Sequence, residues 1–163
     1  SILDQKADFG IVVTASHNPH TDNGIKLFDQ DGGKLNHEKE LIIEAILEEI
    51  KLVPIILPNP KSIYINVSSY YIDYFRSFLS QNSLSKWHIV LDLAHGATSV
   101  TTPRVLSDFG ASLHTIGDQP NGENINDGFG SEFPEQLSLA VLEQNATIGI
   151  AHDGDGDLSL IHI

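Results

Sequence analysis

The chain has 163 residues, of which 40% are hydrophobic, and it carries a formal net charge of −13. This length suffices for one well-packed core or two small domains, and the negative charge excludes a protein that binds nucleic acid through its phosphates. No apolar run approaches the roughly 18 residues that a membrane span needs, no secretory signal is visible and there is no cysteine, so we expect a cytoplasmic protein without disulfides.

The first predicted strand runs from Gly10 to Thr14 and is rich in β-branched residues. Ser16 and His17 follow it, and Pro19 disfavours a helical conformation of the residue before it, so we expect the serine on a turn at the carboxyl end of a strand. Lys26 comes after an Asn-Gly turn that can bring the chain back towards the serine. A hydroxyl, an imidazole and an ammonium group near one another predict a nucleophile or phosphate carrier with acid–base help. A polar loop after a strand is the commoner alternative.

The next segment predicts a short strand, a helix and a domain boundary. Residues 26–28 form the strand, and Asn36 is placed to cap a helix whose apolar residues recur at helical spacing, Ile43, Ile46, Leu47 and Ile50. Three prolines between Val53 and Pro60 mark the boundary. We therefore expect a first domain over residues 1–53, a linker over residues 54–67 and a second domain over residues 68–163.

The second domain predicts an α/β fold. It begins with a helix that Ser68 or Ser69 would cap, and its aromatic residues form a stripe typical of a core, Tyr71, Tyr74, Phe75 and Phe78. Strands and helices then alternate. Strands are predicted over residues 88–93, 112–116 and 147–151, and helices over residues 98–109 and 134–144. This alternation predicts a parallel sheet with right-handed crossovers.

The last of these strands runs into the acidic segment Asp153-Gly154-Asp155-Gly156-Asp157. Alternate side chains of an extended segment point the same way, so we expect its three carboxylates to converge. They would repel one another without a cation, and an all-oxygen cluster suits Mg²⁺; a solvated acidic turn is the alternative. An EF-hand is excluded because its sixth position, which requires glycine, is Leu158. A haloacid-dehalogenase-like site is disfavoured because Asp157 would stand where that family uses Thr or Val.

Two motifs together resemble a known family, the phosphohexomutases. The run Thr14-Ala15-Ser16-His17-Asn18-Pro19, followed by Asp22-Asn23-Gly24-Ile25-Lys26, resembles the family's active-site serine loop, and the acidic segment resembles its metal loop. Residues 91–98 and 121–126 are similar to the branch that interconverts glucosamine 6-phosphate and glucosamine 1-phosphate, the phosphoglucosamine mutases. The resemblance covers nearly the whole chain. It implies two consecutive α/β domains, the first incomplete, with parallel or mixed sheets flanked by helices.

The resemblance also implies a reaction, that of an intramolecular phosphotransferase of the isomerase class. Ser16 would carry a phosphoryl group, and the hexosamine phosphate substrate would pass through a 1,6-bisphosphate. Lys26 would stabilise charge or move a proton near the serine, and His17 would transfer a proton or orient the loop. The implied ligands of Mg²⁺ are Ser16, Asp153, Asp155 and Asp157.

The sequence departs from the family's pattern after Asp157. Leu158 stands where the family has an arginine near the phosphoserine and the metal. The family's N-terminal strand and its third and fourth domains have no counterpart, and the sequence lacks methionine. We therefore expect a partial chain with little mutase turnover alone, whose site the missing domains would complete. Two alternatives stay open, a piece of a phosphomannomutase or phosphoglucomutase, and a non-catalytic module that binds metal or phosphate.

Overall fold

The computed structural model describes residues 2–50 and 62–162, which fall into two compact units. Residues 54–61 of the predicted linker over residues 54–67 lie outside the described residues. Within the described ranges, no helix is both long enough and apolar enough to cross a membrane. The first unit holds the described residues within 1–13 and 25–65, and the second holds those within 14–24 and 66–163.

The first unit contains two short helices and most of a two-stranded sheet. Its elements are α1 (Ile2–Gln5), β1 (Gly10–Thr14), β2 (Gly24–Phe28) and α2 (His37–Glu49), and β1 pairs with β2. Asn36 caps α2 as predicted, because its side-chain oxygen accepts a hydrogen bond from the Lys39 N–H at 3.0 Å. None of the described residues of this unit is buried, so its elements form without an apolar core of their own.

The helix α3 (Ser68–Phe75) opens the second unit and differs from expectation at its start. The predicted serine cap is wrong, since Ser68 is already helical and Val67 occupies the cap position. The polar side chain that helps to start the helix is Asn66, whose oxygen accepts from the Ser68 N–H at 3.0 Å. Asparagine serves this purpose because its side-chain oxygen reaches the backbone two residues on.

The aromatic stripe of α3 is not a core. Tyr71, Tyr74 and Phe78 keep 50%, 64% and 59% of their surface exposed. Their rings contact neighbouring rings of the same segment, and the centroids of Tyr71 and Phe75 lie 4.7 Å apart. The rings of Tyr71, Phe75 and Phe78, together with the helix α4 (Thr102–Asp108), line an apolar cavity of about 370 Å³. The helical spacing predicted one apolar face correctly, but only part of that face is covered.

A four-stranded mixed sheet forms the centre of the second unit. Its strands are β3 (His88–Asp92), β4 (Ser112–Ile116), β5 (Ile148–His152) and β6 (Ser159–His162), in the order β4-β3-β5-β6. β3 is parallel to β4 and to β5, which confirms the predicted parallel arrangement. β6 runs antiparallel to β5 and was not predicted.

The core lies between this sheet and the helix α5 (Pro134–Glu143). A cluster of buried apolar residues there contains Val90, Leu137, Ala140, Val141 and Ala151. The single helix predicted over residues 98–109 is instead a 3₁₀ turn, Ala97–Ser99, followed by α4. Proline has no N–H to continue a helix begun before it but fits the first turn of a new one, and Pro103 stands in the first turn of α4.

Candidate functional site

The parallel strands of the second unit bring three loops to one edge of the sheet. These loops follow β3, β4 and β5 and cover residues 93–96, 117–133 and 153–158. Residues 14–24, which carry the serine turn, belong to the same unit. Open α/β sheets bind ligands at the carboxyl ends of their strands, and the predicted serine and the three aspartates both belong to the segments found there.

The acidic segment is a tight turn between β5 and β6, and not the extended segment that the sequence predicted. The Gly156 N–H donates to the Asp153 carbonyl at 3.1 Å, and the Asp153 N–H donates to the Leu158 carbonyl at 3.3 Å. Gly156 adopts φ +76°, which a residue without Cβ tolerates best. Carboxylate oxygens of Asp153, Asp155 and Asp157 lie within 4.8 Å of one another. The predicted convergence is therefore correct, and a turn produces it.

The Asp153 side chain carries the strongest sign of a cation site. It is 1% exposed; its Oδ1 accepts from the Gly156 and Leu158 N–H groups at 3.0 and 3.1 Å. Its Oδ2 is buried and accepts no hydrogen bond from any residue that the structure describes. Burial raises the pKa of this carboxyl, and the charges of Asp155 and Asp157 raise it further against the hydrogen bond from Leu158. A buried carboxylate oxygen beside the half-buried Asp155 and the exposed Asp157 fits a hard divalent cation such as Mg²⁺.

The serine turn holds Ser16 in an uncommon backbone conformation. Ser16 is half-buried with φ +51°, and a residue with a Cβ adopts this region at a cost of about 1–2 kcal/mol. The Ser16 N–H donates to the Thr14 hydroxyl at 2.9 Å, and the Asn18 N–H donates to the Ala15 carbonyl at 2.9 Å. Ala15 itself is buried, with 7% exposure. A strained residue that its surroundings hold in place is typical of functional sites.

The serine turn lies directly against the acidic turn. The Thr14 hydroxyl donates to Asp155 Oδ2 at 2.9 Å, while its oxygen accepts from the Ser16 N–H. A Cβ added to Gly154 would come within 2.7 Å of the Ser16 carbonyl oxygen. The Asn126 side chain also donates to that oxygen, at 2.7 Å. Thr14 thus links Ser16 to the acidic turn, and Asn126 links it to the loop between β4 and α5.

Two residues of this junction, Thr14 and Asn126, received no role from the sequence. A threonine two residues before the serine is a local signal, because its hydroxyl reaches the backbone two residues on. Asn126 is 110 positions from Ser16. No local pattern predicts a contact over that separation, although Asn126 belongs to a segment that resembles the family.

Two other predicted site residues are His17 and Lys26. His17 is exposed on the serine turn, and Lys26 lies half-buried in β2 as part of the first unit. Leu158 contributes to the acidic turn through its backbone N–H and carbonyl.

Two further polar residues support the loops at this edge of the sheet. Asp92 is fully buried and accepts from the Ala94 N–H at 3.0 Å and the Gly130 N–H at 2.8 Å. Burial raises the pKa of Asp92 although these hydrogen bonds oppose the change. His152 Nδ1 pairs with the Thr98 hydroxyl at 2.9 Å, and burial lowers the pKa of this histidine although Asp153 opposes the change. These contacts link the loops after β3, β4 and β5.

Family models match both halves of the chain. Alpha/beta/alpha domain I of phosphoglucomutase/phosphomannomutase matches residues 1–53, and alpha/beta/alpha domain II matches residues 69–162. A phosphoglucosamine mutase of Shewanella pealeana is 47% identical over 154 residues, covering 93% of this chain and 35% of that protein. One from Bacillus cereus is 46% identical over 159 residues, covering 93% and 34%. The chain spans about a third of the length of the curated relatives it matches.

Solved structures agree in fold. A putative phosphomannomutase from Thermus thermophilus superposes with a TM-score of 0.73 at 25% identity, covering 99% of this chain and 38% of that one. A phosphoglucomutase/phosphomannomutase family protein from Burkholderia thailandensis gives a TM-score of 0.67 at 24% identity, covering 94% and 33%. The predicted α/β class with mixed sheets and flanking helices is confirmed.

Proposed function

Because the chain belongs to the phosphoglucomutase/phosphomannomutase family, we propose that it supplies the phosphoserine and metal turns of a phosphohexose mutase. The single observation that carries this proposal is the 2.9 Å hydrogen bond from the Thr14 hydroxyl to Asp155, which joins the serine turn to the acidic turn. The proposed substrates are glucosamine 6-phosphate and glucosamine 1-phosphate. The relatives at 46–47% identity, named phosphoglucosamine mutases, support this choice.

In the proposed reaction Ser16 Oγ carries a phosphoryl group and gives it to the free hydroxyl of the sugar monophosphate. The bond from phosphorus to Ser16 Oγ breaks, a bond from phosphorus to the sugar oxygen forms, and the proton of that hydroxyl passes to Ser16 Oγ. The product is a 1,6-bisphosphate, which then turns around. Ser16 Oγ next takes the other phosphoryl group and returns its proton to the sugar oxygen that is released. Such transfers depend on positioning and charge stabilisation more than on covalent chemistry.

The predicted site residues have distinct proposed roles. Asp153, Asp155 and Asp157 would hold Mg²⁺ together with Ser16, and the bound ion would neutralise phosphoryl charge. We propose that Lys26 stabilises charge or moves a proton, and that His17 transfers a proton or orients the serine turn.

We also propose the division of the chain into domains. Domain I covers residues 1–53, the linker covers residues 54–67 and domain II covers residues 68–163.

The experiment that tests the function is a single half-reaction. The chain is incubated with Mg²⁺ and glucosamine 1,6-bisphosphate, and its intact mass is measured. We expect a gain of one phosphoryl group that peptide mapping assigns to Ser16 and that Ser16→Ala abolishes. As a matched control, Ser83→Ala removes a serine hydroxyl elsewhere in the second unit and should leave the gain unchanged.

The outcome also separates the alternatives. Faster phosphorylation by mannose or glucose 1,6-bisphosphate than by the glucosamine compound would favour a phosphomannomutase or phosphoglucomutase. Mg²⁺ binding with an unmodified serine in every incubation would contradict the mutase and favour a non-catalytic binding module.

A further inference from the structure

Asn126 is held firmly within the loop between β4 and α5. It is 7% exposed, and its N–H donates to the Ala94 carbonyl in the loop after β3, at 2.8 Å. Its backbone adopts φ +59°, a region that asparagine tolerates better than most residues. The backbone of Asn126 is therefore held in place by the second unit, and this fixes the position from which its side chain extends.

Both contacts of the Asn126 amide go to the serine turn. Nδ2 donates to the Ser16 carbonyl at 2.7 Å and to the Asn18 carbonyl at 2.8 Å. These carbonyls lie on the two sides of His17, so one amide group spans the part of the turn that follows the strained Ser16. A primary amide is suited to this because one nitrogen carries two donors, whereas an ionised carboxylate of the same shape can only accept.

The same contacts set the distance to the acidic turn. A Cβ added to Gly154 would come within 2.8 Å of Asn126 Nδ2 and within 2.7 Å of the Ser16 carbonyl oxygen. The amide and the serine backbone are thus packed together against the glycine between Asp153 and Asp155. A shift of the Ser16 backbone would change its separation from these aspartates.

We propose that Asn126 is a positioning residue for phosphoryl transfer, which holds the Ser16 turn at the acidic turn through its two carbonyl contacts. This inference rests on the proposed function and adds a residue to it. Asn126 acts on the reaction through Ser16. Misplacing a reacting group by about 1 Å can lower a rate about 100-fold.

The test compares two variants. Asn126→Asp keeps the shape of the side chain but replaces the two N–H donors of the amide by an acceptor oxygen, and Asn126→Ala removes the amide. Two quantities are measured for each variant, the rate at which glucosamine 1,6-bisphosphate phosphorylates Ser16 and the Mg²⁺ affinity by calorimetry. In the measured step Ser16 Oγ forms a bond to phosphorus, the sugar oxygen leaves phosphorus, and the serine proton goes to that oxygen. We expect the rate to fall about 100-fold. Mg²⁺ affinity should fall much less, because the variants displace Ser16 but leave the three carboxylates of the acidic turn, where the Gly156 and Leu158 N–H groups hold Asp153.

The matched control is Asn124→Asp, in the same loop. Among the described residues, the Asn124 side chain bonds only within its loop, accepting from the Asn121 N–H at 2.9 Å and donating to the Gln119 carbonyl at 2.9 Å. It should leave the phosphorylation rate unchanged. A normal rate in both Asn126 variants would overturn the inference while leaving the proposed function intact. Loss of Mg²⁺ binding together with phosphorylation would overturn it in favour of a purely structural role. A wild-type chain that is never phosphorylated would instead refute the function, and the inference with it.

Discussion

At the scale of single residues, the carboxylate of Asp153 is the feature on which the proposed metal site depends. One of its oxygens accepts two backbone hydrogen bonds, and the other is buried without a hydrogen bond from the described residues. Burial and neighbouring charges raise its pKa, so its ionised form is disfavoured without a cation. A bound cation would therefore stabilise the ionised carboxylate of Asp153.

This predicts an unusual response to Asp153→Asn. The asparagine oxygen can replace Oδ1, while the buried charge and its repulsion disappear. Without Mg²⁺ we expect the variant to be more stable than wild type by about 1 kcal/mol, or about 2–4 °C in melting temperature. Millimolar Mg²⁺ should raise the melting temperature of wild type but not of the variant.

The control for this prediction is Asp127→Asn, which removes the same formal charge at an exposed position of the same unit. It should preserve the rise in melting temperature with Mg²⁺. An Asp153→Asn protein that still responds to Mg²⁺ like wild type would show that the ion binds elsewhere.

At the scale of elements, the acidic turn depends on its glycines and on the backbone of the residue after it. Leu158 donates to and accepts from Asp153 through its backbone, so the backbone of this residue closes the turn. Gly154 faces the serine turn at a distance that leaves no room for a methyl group. The acidic turn therefore tolerates a change of side chain at Leu158 but not at Gly154.

We expect Gly154→Ala to disrupt the junction. The added methyl group would meet Ser16 O and Ile125 Cδ1 at 2.7 Å, which forces the serine and acidic turns apart. Stability should fall by about 1–3 kcal/mol in urea unfolding, and Ser16 phosphorylation should slow at least tenfold.

Gly33→Ala is the control for this change. Its added Cβ would find its nearest neighbour, Asp29 Oδ1, at 3.6 Å, which is an ordinary contact. Equal effects of the two substitutions would mean that crowding at Gly154 is not the cause.

At the scale of the whole molecule, burial is divided unevenly between the two units. The buried apolar residues of the described chain all lie in the second unit, most of them around β3, β5 and α5. Large apolar side chains of the first unit stay exposed, among them Ile11, Val13 and Ile25 at 55%, 69% and 67%. The serine turn and the acidic turn both belong to the unit that has the core.

This distribution predicts different local stabilities. Amide hydrogens of β1, β2 and α2 should exchange with solvent at least about 100-fold faster than those of β3 and β5, because opening them exposes little buried surface. Hydrogen exchange followed by mass spectrometry measures this directly. Equal protection of the two units would contradict the prediction.

The sequence by itself determined the strands β3, β4 and β5 and the capped helix α2, because these follow from local spacing and turn chemistry. It also predicted that the three carboxylates of the acidic segment converge. Only the tertiary structure decided what meets at the site. Thr14 reaches Asp155 across 141 positions and Asn126 reaches Ser16 across 110, and no local pattern encodes such contacts. The same holds for the aromatic face of α3. The spacing of its aromatic residues predicts that this face is apolar, but only the packing of other elements determines whether the face is buried.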